Sequence, residues 1–308
     1  MSSLPRPERR AHSLADLTPL LRELADLKRL RAAHLPRSVA CDLFERGWLA
    51  LAAGVPTLDV ARVITAEAVV AARLGAIDAA VLRAAGLEEG VLIGILGRSF
   101  DEVSSALAPS LAGALRSALG QTLDRAERAP RFLDLLARQP RAGATKRGQP
   151  RLVLDPLENH AEHSVMVAVS GVLVSAEYGA DPAEVFLAGM SHHVHNALLP
   201  DAGFAGEELL GRDLVALCEA SRRQALNELP PSLAGSVERL LLEVLKAETP
   251  TARAFHAADV IDRVLQQAWH ARAASFTLEH AMNEMDIVHA GPIQSFHREV
   301  LSSIGLLP

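Results

Sequence analysis

Apolar residues recur every three to four positions along much of this chain, which is the spacing of one face of an α-helix. Near the start the pattern is carried by Leu20, Leu21, Leu24, Leu27 and Leu30. Plausible ends or bends between helical segments follow at Gly54, Gly75, Gly86 and Gly120. Long stretches of Ala and Leu, with scattered Arg and Glu, favour helix throughout. We therefore predict an all-α fold with a helical N-terminal region over residues 14–137.

Three helices are predicted within residues 152–308. The first runs over about 157–178 and ends at Gly179, a residue type that often follows the last turn of a helix. The second begins at residues 181–184, where an acid that can cap the helix is followed by a proline and then a glutamate. The third begins near Pro250. These helices form the predicted second domain.

Histidine and carboxylate side chains interrupt the apolar faces of these three helices. They are His160 and His163 on the first, His192, His193 and His195 at the end of the second, and His256 and Asp259 on the third. A separation of three residues places two side chains on the same face of a helix. Imidazole and carboxylate are usual ligands of divalent metals. Because burying such groups on apolar faces is costly without a bound partner, the pattern predicts a metal site.

The same segments resemble the motifs of HD-domain metal-dependent phosphohydrolases, especially those of the 5′-deoxynucleotidase branch. Residues 159–168 resemble the first motif, residues 187–196 the second, and residues 255–263 the third. The similarity covers about residues 157–275 and implies an HD-domain-like helical bundle there. Residues 1–135 show no such resemblance.

The resemblance implies that His163, His192 and Asp259 are metal ligands. His193 stands where the family has an aspartate, and we include it in the predicted ligand set. Two additional candidate ligands are His160 and His256. An imidazole in place of a carboxylate shifts the preference towards metals that accept nitrogen ligands. The divalent ion is left open among Zn²⁺, Fe²⁺, Mn²⁺, Co²⁺ and Ni²⁺.

A catalytic base is predicted beside these ligands. The deoxynucleotidase branch has a glutamate shortly after its His-Asp pair, and Asn196 stands near that place here. An amide cannot act as a general base, whereas His195 can, because imidazole titrates near neutrality. Glu162, next to the first ligand, is the alternative base.

A basic segment, residues 138–151, separates the two helical regions and contains five cations, two prolines, two glycines and no acid. This composition predicts a loop rather than a helix. One interpretation is a solvated linker. The other is a loop that folds over the metal site and binds phosphate through Arg141, Lys146, Arg147 or Arg151.

Together these features predict a hydrolase that cleaves a nucleotide or another small phosphate ester by means of a metal-activated water. Two alternatives remain open at this stage. One is an iron-dependent oxygenase on the same HD-type scaffold, and the other is a catalytically inactive module for binding or signalling. The substrate class follows from the resemblance.

Composition and charge indicate which partners and which cellular compartment to expect. The net charge of −6 provides no overall basic field for nucleic acid. Cys41 and Cys218 are far apart, which suits a reducing cytoplasm without a disulfide framework. The start of the chain lacks the apolar run of a signal peptide, and no uncharged stretch is long enough to span a membrane. Residues 1–13 are predicted to form a flexible tail, and the N-terminal region is a candidate homodimer interface.

Overall fold

The computed structural model describes residues 13–274, 277–284 and 287–307. Within these ranges the chain forms fifteen α-helices, three short 3-10 segments and no β-strand, which confirms the predicted all-α fold. Among these helices, none has the combination of length and apolar character needed to cross a membrane. The α-helices are α1 (Leu14–Leu24), α2 (Val39–Ala52), α3 (Thr57–Leu74), α4 (Ala79–Ala84), α5 (Glu89–Val103), α6 (Pro109–Ser117), α7 (Arg131–Arg138), α8 (His160–Tyr178), α9 (Pro182–Ser191), α10 (Gly203–Leu210), α11 (Asp213–Leu226), α12 (Pro231–Glu243), α13 (Pro250–Ala274), α14 (Leu278–Asn283) and α15 (Gln294–Ser303).

Helix α1 corresponds to the first part of the N-terminal leucine pattern. Its N-terminus is fixed by Ser13, whose backbone N–H donates to Asp16 Oδ2 at 3.0 Å. The remainder of the predicted tail, residues 1–12, lies outside the described residues. After Leu24 the helix tightens into a 3-10 segment, Ala25–Lys28. The leucine pattern therefore continues through a change of helix type and brings Lys28 into a buried position.

The hydrophobic core is continuous between the N-terminal helices and the helices that carry the predicted metal ligands. Trp48 of α2, Met166 of α8 and Phe186 of α9 belong to the same buried cluster. Helix α2 packs on α8, and α3 packs on both α8 and α9. The N-terminal region thus supports one side of the predicted site directly.

The basic segment leads from one group of helices to the other through irregular structure. Helix α7 ends at Arg138, and within the described chain the next helix begins at His160. Isolated β-bridges join Pro140 to Asn159 and Ala144 to Leu152. We call residues 139–159 the basic loop. Because the loop folds back on itself, its first half lies beside the N-terminus of α8.

Helices α8 and α9 have the caps that the sequence predicts, although α8 begins at residue 160 rather than near 157. Gly179 follows α8 in a left-handed conformation, with φ 63° and ψ 30°. At the start of α9, Asp181 accepts a hydrogen bond from the backbone N–H of Ala183. Helix α9 ends at Ser191 instead of continuing through the histidines, and a 3-10 segment, Val194–Ala197, follows.

Helices α8 and α9 cross at very close range. A Cβ added to Gly189 of α9 would lie 2.5 Å from Cα of Ala168 in α8. Only glycine permits this approach, since the obstacle is backbone rather than a flexible side chain. The crossing fixes the position of His163, near the start of α8, relative to His192, which directly follows α9.

Candidate metal centre

His163 projects from the first turn of α8 and is fully buried. Its Nδ1 lies 2.7 Å from Oδ2 of Asp262 on α13. A carboxylate can only accept, so Nδ1 carries a proton and the hydrogen bond to Asp262 leaves Nε2 as the nitrogen for a metal. Nε2 lies 3.2 Å from Asp259 Oδ1 and makes no hydrogen bond within the described part of the chain. Asp262 therefore orients the ring of His163, so that Nε2, the nitrogen that could bind a metal, faces Asp259.

His192 is oriented by a backbone carbonyl. Its Nδ1 donates to the carbonyl oxygen of Gly189 at 2.7 Å, while its Nε2 is buried and has no hydrogen-bond partner among the described residues. Burial, followed by the proximity of His163, lowers the pKa of His192 to about 3. At neutral pH the ring is uncharged, which is the form that binds a metal.

His193 lies against the other two imidazoles. Its ring centroid is 4.2 Å from that of His192 and 5.2 Å from that of His163. The three residues can each offer a ligand atom within 4.8 Å of the others. Nδ1 of His193 lies 2.8 Å from Asn196 Oδ1, and its Nε2 lies 3.2 Å from Arg141 Nη1. Burial, then His192, lowers its pKa well below the ordinary value.

Asp259 of α13 completes the group of predicted ligands. While Oδ1 faces His163, Oδ2 accepts a hydrogen bond from Arg263 Nη2 at 2.5 Å. Burial alone would raise the pKa of Asp259, but Arg263 and His163 together lower it well below its usual range. The side chain is therefore an ionised carboxylate at neutral pH. The structure brings all four predicted ligands, His163, His192, His193 and Asp259, into one cluster.

These features fit a divalent cation. Two buried imidazole nitrogens lack hydrogen-bond partners in the described structure, and an ionised carboxylate lies beside one of them. Neutral imidazole and carboxylate form the donor set typical of Zn²⁺ and of neighbouring transition metals. Three separate segments supply the donors, so the cluster depends on the fold rather than on a local sequence motif.

The additional ligand candidates lie at different distances from this cluster. The ring of His160 is 4.6 Å from that of His193, and its Nε2 lies 3.7 Å from Asp201 Oδ2. His160 is fully buried, and neither of its ring nitrogens is hydrogen-bonded to a described residue. His256 instead uses Nε2 to donate to the carbonyl oxygen of Val244 at 2.8 Å. His160 thus lies next to the cluster of predicted ligands, whereas the Nε2 of His256 is engaged by the backbone carbonyl of Val244.

The two predicted bases, Glu162 and His195, have environments that differ from those of the candidate ligands. Glu162 forms a capping box with Asn159, accepts a hydrogen bond from the Ser38 hydroxyl at 2.6 Å and lies 3.5 Å from Arg31. The ring of His195 is 6.0 Å from that of His193. Burial, followed by Arg222 of α11, lowers the pKa of His195 to about 4. Glu162 secures the start of α8 against the N-terminal region. The 3-10 segment that carries His195 packs on α11.

A cavity of about 290 Å³ opens onto the cluster. Its lining includes His192, His193, Asp259, Glu158, Arg141 and Arg263. The volume is near the lower end of the range for small-molecule sites. Arg141 and Arg263 therefore share the cavity with the candidate metal ligands and with the acids Glu158, Asp201 and Glu207.

Of the four cations predicted to bind phosphate, only Arg141 lines this cavity among the described residues. Arg151 donates to the carbonyl oxygens of Ala142 at 3.1 Å and Ala202 at 3.4 Å, so it fastens the basic loop. Lys146 and Arg147 are exposed on that loop. The loop does fold over the site, but it presents one arginine rather than several.

Sequence reasoning missed several charged residues around the cluster. Asp262 orients His163, and Lys28 lies 2.7 Å from Asp262 and 2.5 Å from Glu158. Arg263 pairs with Asp259. Asp262 had a detectable signal, because it follows Asp259 by three residues and so lies on the same face of α13.

Comparison with protein-family models finds no match, and comparison with curated proteins finds none either. Among solved structures, the chain is similar to a conserved hypothetical protein from Pyrococcus furiosus, with a TM-score of 0.40 and 22% sequence identity. The match covers 57% of this chain and 96% of that one. A likeness at this level carries no argument about function.

Proposed function

We propose that this chain is an HD-type, metal-dependent phosphohydrolase that acts on a nucleotide or another small phosphate ester. The proposal is supported above all by one observation. The Nε2 atoms of His163 and His192 have no hydrogen-bond partner among the described residues, and that of His163 lies 3.2 Å from Asp259. The cavity next to them is also lined by Arg141 and Arg263. Cation ligands and anion-binding groups in one cavity suit a phosphate ester and a divalent ion together.

His163, His192 and Asp259 would hold the ion, and His193 would join them when its Nε2 exchanges the hydrogen bond from Arg141 for the ion. When bound, the ion supplies Lewis acidity for a phosphate oxygen and for water. The resemblance to the HD-domain motifs supports His163, His192 and Asp259 as ligands, whereas His193 stands where the family has an aspartate. The substitution of imidazole for the family's aspartate at His193 favours a metal that accepts nitrogen.

The surrounding side chains bind and orient the substrate in this proposal. Arg141 and Arg263 neutralise the phosphate oxygens, since guanidinium matches their geometry. We assign the role of proton acceptor to Glu158, because it lines the cavity, whereas Glu162 and His195 are not among the described residues that line it. Glu158 Oε2 lies 3.7 Å from Arg141 Nε, so the acceptor and the phosphate-binding group are neighbours.

The experiment combines metal analysis with a phosphatase screen. Protein purified without chelator is analysed for metals and then assayed on 5′-nucleotides and small phosphate esters with Mn²⁺, Zn²⁺, Co²⁺, Ni²⁺ or Fe²⁺. His192→Gln should lower metal affinity by more than about 100-fold, since loss of an outer-shell partner alone lowers it by about 10- to 100-fold. The exposed His34→Gln variant is the matched control and should behave as wild type.

The outcomes separate the three hypotheses. Phosphate release by wild type and by His34→Gln, but not by His192→Gln, supports the proposal. Two equivalents of iron with no phosphate release would favour the oxygenase. A protein that retains no metal and releases no phosphate would instead favour the inactive module.

A further inference from the structure

Lys28 places a buried positive charge next to the candidate metal centre. It ends the 3-10 segment after α1, and its side chain is 2% exposed. Its Nζ lies 2.5 Å from Glu158 Oε1 and 2.7 Å from Asp262 Oδ2. A buried ammonium is costly unless it is paired and hydrogen-bonded, and two carboxylates provide both here.

The partners of Lys28 themselves form a group suited to a metal ion. Glu158, His163 and Asp262 can each offer a ligand atom within 4.8 Å of the others. His163 Nδ1 lies 2.7 Å from Asp262 Oδ2 and 4.0 Å from Glu158 Oε1. Two carboxylates and an imidazole are a common donor set for a transition metal. Lys28 Nζ donates hydrogen bonds to the carboxylates of both Glu158 and Asp262.

We propose that the ammonium of Lys28 takes the place of a second metal ion, so that the centre binds one divalent ion. This inference rests on the proposed metal centre and specifies how many ions it holds. Lys28 is then a positioning residue. Its ammonium holds the Asp262 carboxylate in place. Asp262 accepts a hydrogen bond from Nδ1–H of His163, and this bond turns His163 Nε2 towards the ion.

The charges of the group agree with this role. Burial alone would lower the pKa of Lys28, but Asp262 and Glu158 raise it above its ordinary value. The ammonium of Lys28 is therefore held between the carboxylates of Glu158 and Asp262. A second divalent ion at Glu158 and Asp262 would have to displace the ammonium.

The proposal also gives part of the N-terminal region a function. The 3-10 segment that ends at Lys28 packs on α2, α8 and α13. Lys28 is separated from Asp262 by 234 positions in the sequence, so their contact connects the N-terminal region with α13. The N-terminal region would supply one of the positive charges of the centre.

The test is metal stoichiometry measured on the full chain by equilibrium dialysis against Mn²⁺ and, separately, Zn²⁺. Wild type should bind one equivalent, and so should the matched control Lys246→Ala, which removes an exposed lysine. Lys28→Ala should bind two, because it frees the carboxylates of Glu158 and Asp262 from the ammonium. Two equivalents in wild type would overturn the proposal, as would one equivalent in Lys28→Ala with an affinity equal to wild type.

A second measurement covers the case in which Lys28→Ala does not fold. Thermal unfolding of metal-free protein is compared for Lys28→Met, Asp262→Asn and the double variant. Asp262→Asn should raise the melting temperature when it is added to Lys28→Met and lower it when it is added to wild type. If it lowers the melting temperature equally in both backgrounds, the charge pairing is absent and the proposal fails.

Failure of the proposed metal centre is recognised independently. In that case wild type binds no ion at all, which is observed before any variant of Lys28 is compared. The unfolding experiment contains no metal and reports on the Lys28–Asp262 pair in either case.

Discussion

His193 and Asn196 form one hydrogen-bonded unit beside the candidate metal centre. Asn196 Nδ2 donates to the carbonyl oxygen of Leu199 at 3.1 Å, so the amide oxygen faces His193 Nδ1 at 2.8 Å. Nδ1 therefore carries the proton, and Nε2, which lies 3.2 Å from Arg141, carries the lone pair. The two residues that depart from the HD pattern are thus structurally coupled.

Removing Asn196 should weaken metal binding through His193. Asn196→Ala leaves Nδ1 of His193 without its acceptor, and loss of such an orienting partner typically lowers metal affinity about 10- to 100-fold. Competition with a chromogenic chelator measures the change. Asn227→Ala, at an exposed position after α11, is the control. Equal affinities for the two variants would show that His193 does not contribute to the ion site.

Replacing His193 by aspartate should change the order of metal preference. His193→Asp restores the carboxylate of the HD pattern, and hard oxygen donors favour Mn²⁺ relative to metals that prefer nitrogen. We expect a lower Zn²⁺ affinity and greater phosphate release with Mn²⁺ than in wild type. Titrations with both ions, followed by assays on the same samples, measure this. An unchanged ratio of Zn²⁺ to Mn²⁺ affinity would contradict the prediction.

Arg141 should contribute to substrate binding, whereas Arg147 should not. Hydrogen bonds to charged groups contribute about 1.5–3 kcal/mol, so Arg141→Ala should raise KM by about 10- to 100-fold. Arg147→Ala, on the exposed part of the basic loop, should leave KM unchanged. Steady-state kinetics on the best ester from the screen separate KM from kcat. An equal rise in KM for both variants would indicate a diffuse charge effect of the loop.

The crossing of α8 and α9 should not tolerate a methyl group. In Gly189→Ala the new Cβ would come within 2.5 Å of the Ala168 backbone, so the helices must separate. Overpacking of this kind typically lowers the free energy of unfolding by about 1–3 kcal/mol. Gly235→Ala is the control, because its Cβ would meet no described atom within 4 Å and alanine favours helix. Urea denaturation measures both, and equal stabilities would contradict the close crossing.

Acid should destabilise the fold partly through His297 of α15. Burial is the largest cause that lowers the pKa of His297 to about 4. The unfolded imidazole has a pKa of about 6.5, so between these values the unfolded state binds the extra proton. Stability therefore falls as the pH drops through this window, by up to about 1.4 kcal/mol per pH unit for one proton.

His297→Gln removes that contribution. Its free energy of unfolding should depend less steeply on pH between about 6.5 and 4 than that of wild type. Denaturation at several pH values measures the slope. His34→Gln, at an exposed position, should keep the wild-type slope. If the slope of His297→Gln also equals that of wild type, His297 is not the buried neutral group that the structure indicates.

The sequence predicted the helices, and which candidate ligands lie close together, better than it predicted the residues around them. Caps such as Gly179 and Asp181 are local, so they can be read from a few residues. The partner of a buried charge is not local, and Lys28 could not be assigned to Asp262 without the fold. Glu162 illustrates the same limit. Its spacing suggested a role beside His163, yet as the third residue of α8 it bonds back to the helix cap.

The walls of the cavity differ in the kind of structure that forms them. Asp259 lies on the buried helix α13 and His192 directly follows α9, whereas Arg141 lies on the irregular basic loop. Substitutions in exposed loops disturb folding far less than substitutions in packed helices. Natural variants of this protein should therefore diverge first in the loop that lines the cavity, while the candidate ligands change only when the core changes with them.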